Sequence, residues 1–196
     1  MQITVAKTAG FCFGVNRAVE MVSELAAGGE KVCTLGPIIH NNQMVESLAK
    51  KGVRIINDPS EAKSDEILVI RSHGVTEETE RAAASRCKSV CDATCPFVSK
   101  IHTIVKKASL DGSAVFIAGD TEHSEVIGIR GHCHGESFVF KTPDELENLL
   151  LDRVFDPKKP PVLVAQTTFN AEMWEKCQKT FKKVCTNGII FDTICN

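Results

Sequence analysis

Asp92-Ala93-Thr94-Cys95-Pro96 follows the short apolar run Val90-Cys91 and opens a helical pattern that continues to residue 110. The same device, Asp-x-x-Cys behind a strand-like run, returns as Asp192-Thr193-Ile194-Cys195 after Ile189-Ile190-Phe191. A third cysteine, Cys12 in Gly10-Phe11-Cys12-Phe13-Gly14, lies just past Ile3-Thr4-Val5-Ala6. Parallel strands that end side by side would bring such thiols together at one edge of a sheet layer. Three converging thiolates with no obvious fourth read as a metal centre with one open coordination position.

Outward from these loops the chain alternates strand-like and helix-like segments. Strands are predicted over 2–6, 32–35, 53–56, 67–71, 89–92, 114–118, 137–140, 162–166 and 188–191, all rich in Val, Ile and Phe. Helices are predicted over 14–27, 41–51, 76–86, 96–110, 123–130, 143–150 and 170–183. In the first of these, Val15, Ala18, Val19, Val22 and Leu25 make one apolar face at helical period. Pro96 and Pro143 are well placed as first helical residues. This density of alternation predicts an α/β fold of repeated small modules with parallel sheets.

The modules repeat. Gly36-Pro37-Ile38-Ile39-His40 matches Gly119-Asp120-Thr121-Glu122-His123, each following an apolar run and preceding a helix. Val69-Ile70-Arg71-Ser72 matches Val164-Ala165-Gln166-Thr167 in the next slot, and an Asp-x-x-Cys element closes each unit. The expected organisation is an N-terminal strand and first cysteine loop over 1–13, a first module over 14–96 and a second over 97–193. Residues 194–196 would begin an absent third module, because a helix is due after Cys195 as after Cys12 and Cys95. The chain is therefore expected to be a truncated form of a longer protein.

Composition narrows the class. The 196 residues suffice for one large domain or two small ones, with 43% hydrophobic residues and a formal net charge of −2. Near-balanced charge favours neither nucleic acid nor a membrane surface. No apolar run could span a bilayer, and the N-terminus lacks a signal-peptide layout, so a cytoplasmic protein is expected. Nine cysteines, an odd number, argue against a disulfide framework in that compartment. Cys33, Cys87, Cys91 and Cys177 read as small apolar core residues. No C-x-x-C pair occurs, which removes zinc ribbons and thioredoxin-like motifs.

His40, His73, Cys95, His123, Glu125, Thr167 and Cys195 all fall in strand-to-helix loops, as does Cys12. Thiolates suit an iron–sulfur cluster, zinc or Cu(I); three buried cysteines that never meet are the plain alternative. Three loop histidines near helix N-termini could hold an anion such as a phosphate. Glu125 could supply a proton if burial raises its pKa, or could simply complement a helix dipole. His132-Cys133-His134 resembles a ligand cluster, but its Gly-flanked setting favours an exposed turn.

The motifs also resemble a known family. G-F-C-x-G-V at 10–15 with N-R-A at 16–18, I-I-H-N at 38–41, S-H-G-V at 72–75 and D-A-T-C-P at 92–96 are similar to the 4-hydroxy-3-methylbut-2-enyl diphosphate reductases of the non-mevalonate isoprenoid pathway. The resemblance continues through V-x-K-x-H at 98–102, E-H-S-E-V at 122–126, Q-T-T at 166–168 and D-T-I-C at 192–195, and so covers the whole chain in order. It implies three α/β modules placed pseudo-symmetrically around a central cavity. It implies a 4Fe–4S cluster held by Cys12, Cys95 and Cys195, with one open iron that binds the substrate hydroxyl. His40, His73 and His123 match diphosphate-binding histidines, Glu125 the proton donor, and Thr167 a threonine of the proton relay. Catalysis would then rest on Glu125, His123 and Thr167. The implied reaction is a two-electron reductive dehydroxylation yielding isopentenyl and dimethylallyl diphosphate. Ferredoxin or flavodoxin would donate the electrons to a monomer or weak dimer. A chain lacking the third module is expected to bind cluster and substrate poorly. The runner-up is a zinc- or thiolate-metal binding protein without redox activity.

Overall fold

The computed structural model describes residues 3–4 and 9–195; the strand expected over 2–6 therefore lies largely outside the described residues. The chain divides into two compact units, Met1–Ser72 with Ala83–Cys95, and His73–Ala82 with Pro96–Asn196. The sequence reading runs the first module unbroken from 14 to 96, whereas here the segment 73–82 packs with the second unit.

The first unit is a parallel sheet of β1 (Val32–Leu35), β2 (Arg54–Ile56), β3 (Ile67–Ile70) and β4 (Ser89–Asp92), in the order β2-β1-β3-β4. It is accompanied by α1 (Phe13–Ala27) and α2 (Asn42–Lys50). The central strands β1 and β3 are buried at every position, as expected of strands covered on both faces. Ala18 and Val22 of α1 and Leu48 of α2 share one core with Val32, Ile38, Val53 and Val69.

The second unit repeats this plan. β5 (Val115–Ala118), β6 (Ser137–Phe140), β7 (Val162–Ala165) and β8 (Ile189–Ile190) form a parallel sheet in the order β6-β5-β7-β8. α4 (Pro96–Leu110) precedes them, and α5 (Ser124–Arg130), α6 (Pro143–Leu151) and α7 (Ala171–Val184) run between them. The two-residue period of a strand separates two cores here. Phe116, Ala118, Leu163 and Ala165 face Phe140, Leu146, Trp174 and Phe181. Val115, Ile117, Val162 and Val164 face Ile101, Val105, Val126 and Ile129. Each such buried side chain contributes roughly 1.5–3 kcal/mol relative to exposure. The helix α3 (Glu77–Ala84) follows β3 in the chain, but its residues up to Ala82 belong to the second unit.

In both sheets the strand order reverses between the two central strands. That switch point, at the carboxyl ends of β1/β3 and of β5/β7, is where open parallel sheets bind ligands. Among the described residues no helix is long and apolar enough to cross a membrane.

Candidate active site

In the first unit, β1 runs into a turn at Gly36, whose φ of +74° suits glycine. The Arg71 guanidinium packs against that glycine so closely that a Cβ there would collide with it. Ile38 and Ile39 then enter the core, His40 is exposed, and Asn41 caps α2 by accepting from the Met44 backbone N–H at 2.9 Å. At the end of β3 the Ser72 hydroxyl donates to the Ile38 carbonyl at 3.2 Å, tying the two switch-point loops together.

Beyond β4, the Asp92 carboxylate accepts from the Thr94 N–H at 2.8 Å, an Asx turn that bends the chain toward Cys95. The Cys95 N–H donates to the Ser72 carbonyl at 2.9 Å. Arg17 on α1 donates to the carbonyls of Thr94 at 3.2 Å and Asp92 at 3.3 Å. These bonds press the cysteine loop onto the first turn of α1, where Gly14 leaves room for the Cys95 sulfur and no Cβ would fit. Cys12 is the N-cap of the same helix, so the first unit brings two of the three loop cysteines to one helix end. Sequence reasoning gave Arg17 no role; its signal was its place directly after the first cysteine motif.

The second unit assembles the acid. His123 is the N-cap of α5, its Nδ1 accepting from the Glu125 N–H at 3.1 Å. Acceptance at Nδ1 fixes the ring proton of the neutral tautomer on Nε2. The His73 ring meets it edge-on, centroids 5.5 Å apart. Glu125 is only 2% exposed. Its Oε1 accepts from the Thr167 N–H at 2.7 Å and its Oε2 from the Thr167 hydroxyl at 2.8 Å. Burial pushes the Glu125 carboxyl above the usual carboxylate range, against the opposing pull of the two Thr167 bonds. The Thr167 carbonyl in turn accepts from the Cys195 N–H at 2.6 Å. Glu125, Thr167 and Cys195 thus form one continuous polar chain at the β5/β7 switch point.

The cysteines sort by environment. Burial raises the thiol of Cys33 to about 12 and those of Cys133 and Cys177 to about 11, and lifts Cys185 as well, so these stay protonated thiols. Cys12 and Cys195 are exposed and Cys95 is half-buried, all three as free thiols in loops that precede or end at helix starts and strand ends. Thiols in such positions fit a soft metal or an iron–sulfur cluster, whereas the core cysteines do not. Cys33 and Cys177 lie in the core as expected, while Cys87 and Cys91 are only half-buried. His132, read as part of an exposed turn, is in fact buried, with Nδ1 2.9 Å from the Gly128 carbonyl at the end of α5.

The family described as LytB protein matches residues 3–196. This chain belongs to the LytB family. A Clostridioides difficile relative named 4-hydroxy-3-methylbut-2-enyl diphosphate reductase is 39% identical over 197 residues, covering 100% of this chain and 69% of its own length. A Desulfovibrio desulfuricans relative of the same name is 37% identical, covering 100% of this chain and 70% of its own length. A solved structure of (E)-4-hydroxy-3-methyl-but-2-enyl diphosphate reductase superposes with a TM-score of 0.84 at 36% identity, over 99% of this chain and 68% of that one. The Plasmodium falciparum reductase structure shares the fold, with a TM-score of 0.86 at 24% identity over 96% of this chain and 59% of that one. The α/β class with parallel sheets is common to this LytB chain and those structures, and the chain spans 69% and 70% of the two relatives named above.

Proposed function

We propose that this LytB chain carries the reductive dehydroxylation of 4-hydroxy-3-methylbut-2-enyl diphosphate to isopentenyl and dimethylallyl diphosphate. The observation that supports this most is the Glu125–Thr167–Cys195 hydrogen-bonded chain, which links a buried acid to one of the three loop cysteines. In this reading Cys12, Cys95 and Cys195 hold a 4Fe–4S cluster, which when bound supplies the electrons of the two-electron reduction. The chain's own residues do the rest. His40, His73 and His123 hold the diphosphate, with His123 donating from Nε2. Glu125, whose carboxyl burial pushes above the usual carboxylate range, gives up the proton that lets the hydroxyl leave as water, and Thr167 fixes its orientation. Two electrons and two protons enter, and one water leaves. A ferredoxin or flavodoxin supplies the electrons, in the cytoplasm, to a monomer or weak dimer. The module boundaries at residues 13, 96 and 193 belong to the same proposal. The relatives named above are reductases, which leaves the zinc- or thiolate-binding alternative without support.

The test introduces Glu125→Gln into the native gene, so that whatever polypeptide carries this sequence is assayed anaerobically with substrate and a chemical reductant. The expected result is unchanged iron and acid-labile sulfide with turnover reduced roughly 10²–10⁴-fold. Full turnover in the variant would remove Glu125 from the mechanism. Zinc in place of iron, with no turnover in the parent, would restore the alternative.

A further inference from the structure

A second cluster lies within the second unit, apart from the Glu125 chain. Glu80 on α3, His102 on α4 and His132 after α5 each place one ligand atom within 4.8 Å of the other two. His132 Nε2 is 3.7 Å from Glu80 Oε1. The His102 and His132 rings are nearly parallel, centroids 3.9 Å apart. Both imidazoles are buried, while the Glu80 carboxylate is about a third exposed. The His132 Nδ1–Gly128 carbonyl bond directs the ring proton toward the backbone and leaves Nε2 as the lone-pair nitrogen on the Glu80 side. A backbone carbonyl on the far ring nitrogen is the usual support of a metal-bound histidine.

The surroundings hold this set in place. One helical turn from Glu80, Glu77 pairs with Lys106 at 3.0 Å and with His134 at 2.8 Å. Lys106 is one turn beyond His102, and His134 two residues beyond His132, so a second polar rung brackets the first. At Gly128 an added Cβ would lie 3.4 Å from His102 Nε2, so the missing side chain leaves α5 close to that nitrogen.

We propose that Glu80, His102 and His132 form a divalent transition-metal site, zinc by preference, with a fourth position open to water on the Glu80 side. Two imidazoles and one carboxylate are a zinc donor set, with metal–ligand distances of about 2.0–2.2 Å and hence donor spacings of about 3.4 Å. The Glu80–His132 spacing of 3.7 Å is already near that value. Binding requires the stacked His102 ring to turn so that its lone pair joins that of His132, which the Gly128 carbonyl already orients. Magnesium and calcium prefer all-oxygen sites and are excluded by the two nitrogens. An ion here would clamp α3, and with it the segment that carries His73, to α4 and α5 of the second unit.

The proposal is independent of the reductase reading, and its test removes the three loop thiols. The chain bearing Cys12→Ser, Cys95→Ser and Cys195→Ser is titrated with Zn²⁺ by calorimetry and with Co²⁺ by absorption spectroscopy. One ion per chain is expected, with visible cobalt bands and no intense near-ultraviolet thiolate band. Glu80→Gln and His132→Gln should each weaken binding by more than about 100-fold, the upper end of losses from outer-shell changes. Far-ultraviolet circular dichroism verifies that each variant is folded, and Glu80→Gln, at the exposed edge, decides the matter if His132→Gln is not. No saturable binding, or equal binding in Glu80→Gln, overturns the site.

Discussion

The two units share one frame and differ in what they hang on it. After the first central strand, Gly36–His40 corresponds to Gly119–His123. Two residues on, the first unit has the exposed Asn42 and the second the buried Glu125. After the other central strand, Ser72 and Thr167 each accept on their carbonyl from the N–H of a loop cysteine. The Ser72 hydroxyl spends its bond on the Ile38 backbone, whereas the Thr167 hydroxyl reaches Glu125. One carboxyl therefore draws the Thr167 hydroxyl into a hydrogen-bonded chain that the first unit lacks. A repeated fold can supply two equivalent loop sets while only one of them carries a buried carboxyl.

The largest way to break this asymmetry is Glu125→Gln, which leaves the second loop set without a buried carboxyl, as in the first. The loss of roughly 10²–10⁴-fold in turnover corresponds to about 3–5 kcal/mol of barrier. Next come the two hydroxyls. Thr167→Val leaves Glu125 Oε2 buried without its donor, a cost of about 1–3 kcal/mol, while Ser72→Ala removes a neutral bond worth about 0.5–1.5 kcal/mol. Thermal unfolding of the two variants should rank them in that order, and equal destabilisation would mean that the Glu125 carboxyl finds another partner.

A pH series sharpens the same contrast, because each unit has a shifted buried glutamate and the shifts run in opposite directions. In the first unit the Arg54 guanidinium, at 2.7 Å, holds Glu66 down to about 2. Its unfolded value is about 4.3, so its contribution is fully present above that pH and is lost as pH falls toward 2. With Arg54 41% exposed, about 2 kcal/mol is the expected size after solvent screening. In the second unit burial raises Glu125, so its contribution is present below the unfolded value and declines as pH rises through the folded one. Glu66→Gln should thus destabilise at pH 7, by about half as much at pH 3, and scarcely at about pH 1. Glu125→Gln should be relatively more stable at pH 7 than at pH 4. Parallel pH profiles for the two variants would contradict the opposite environments.

Most of this frame was legible in the chain. Every element predicted within the described residues is present, with ends within two residues: 32–35, 89–92, 96–110 and 137–140 are bounded as read. Dense Val/Ile runs and capping residues carry that information locally. What periodicity does not carry is which sheet a helix packs on, and this is why the segment 73–82 was read into the first module. The burial of His132 was equally out of reach. It depends on stacking against His102, thirty positions earlier, and on the buried Gly128 carbonyl near a helix end. The shared Asp-x-x-Cys pattern also hides a difference. Asp92 folds its own loop by accepting from Thr94, whereas Asp192 accepts from Trp174 Nε1 at 3.0 Å and so anchors the loop to α7.

The smallest expected effects come from the caps, where the two units use different residues for one task. Asn41 caps α2 through its side-chain oxygen, and His123 caps α5 through Nδ1. Asn41→Ala should cost about 1 kcal/mol, the usual loss for an unsatisfied first-turn N–H. His123→Asn puts an ordinary capping oxygen where Nδ1 was, and so keeps the helix start while deleting the Nε2–H. If the ring serves only as a cap, this variant should match the parent in both melting temperature and KM. If it also holds the diphosphate, melting should be unchanged to within about 0.5 kcal/mol while KM rises. The pairing matters because a histidine is a poor choice of cap on its own: its ring is bulkier than the Asn, Asp or Ser that lead at that position, and protonation on Nδ1 would place a cation at a helix N-terminus. Asn in its place keeps the cap and removes the ring, so melting temperature and KM read the two roles separately.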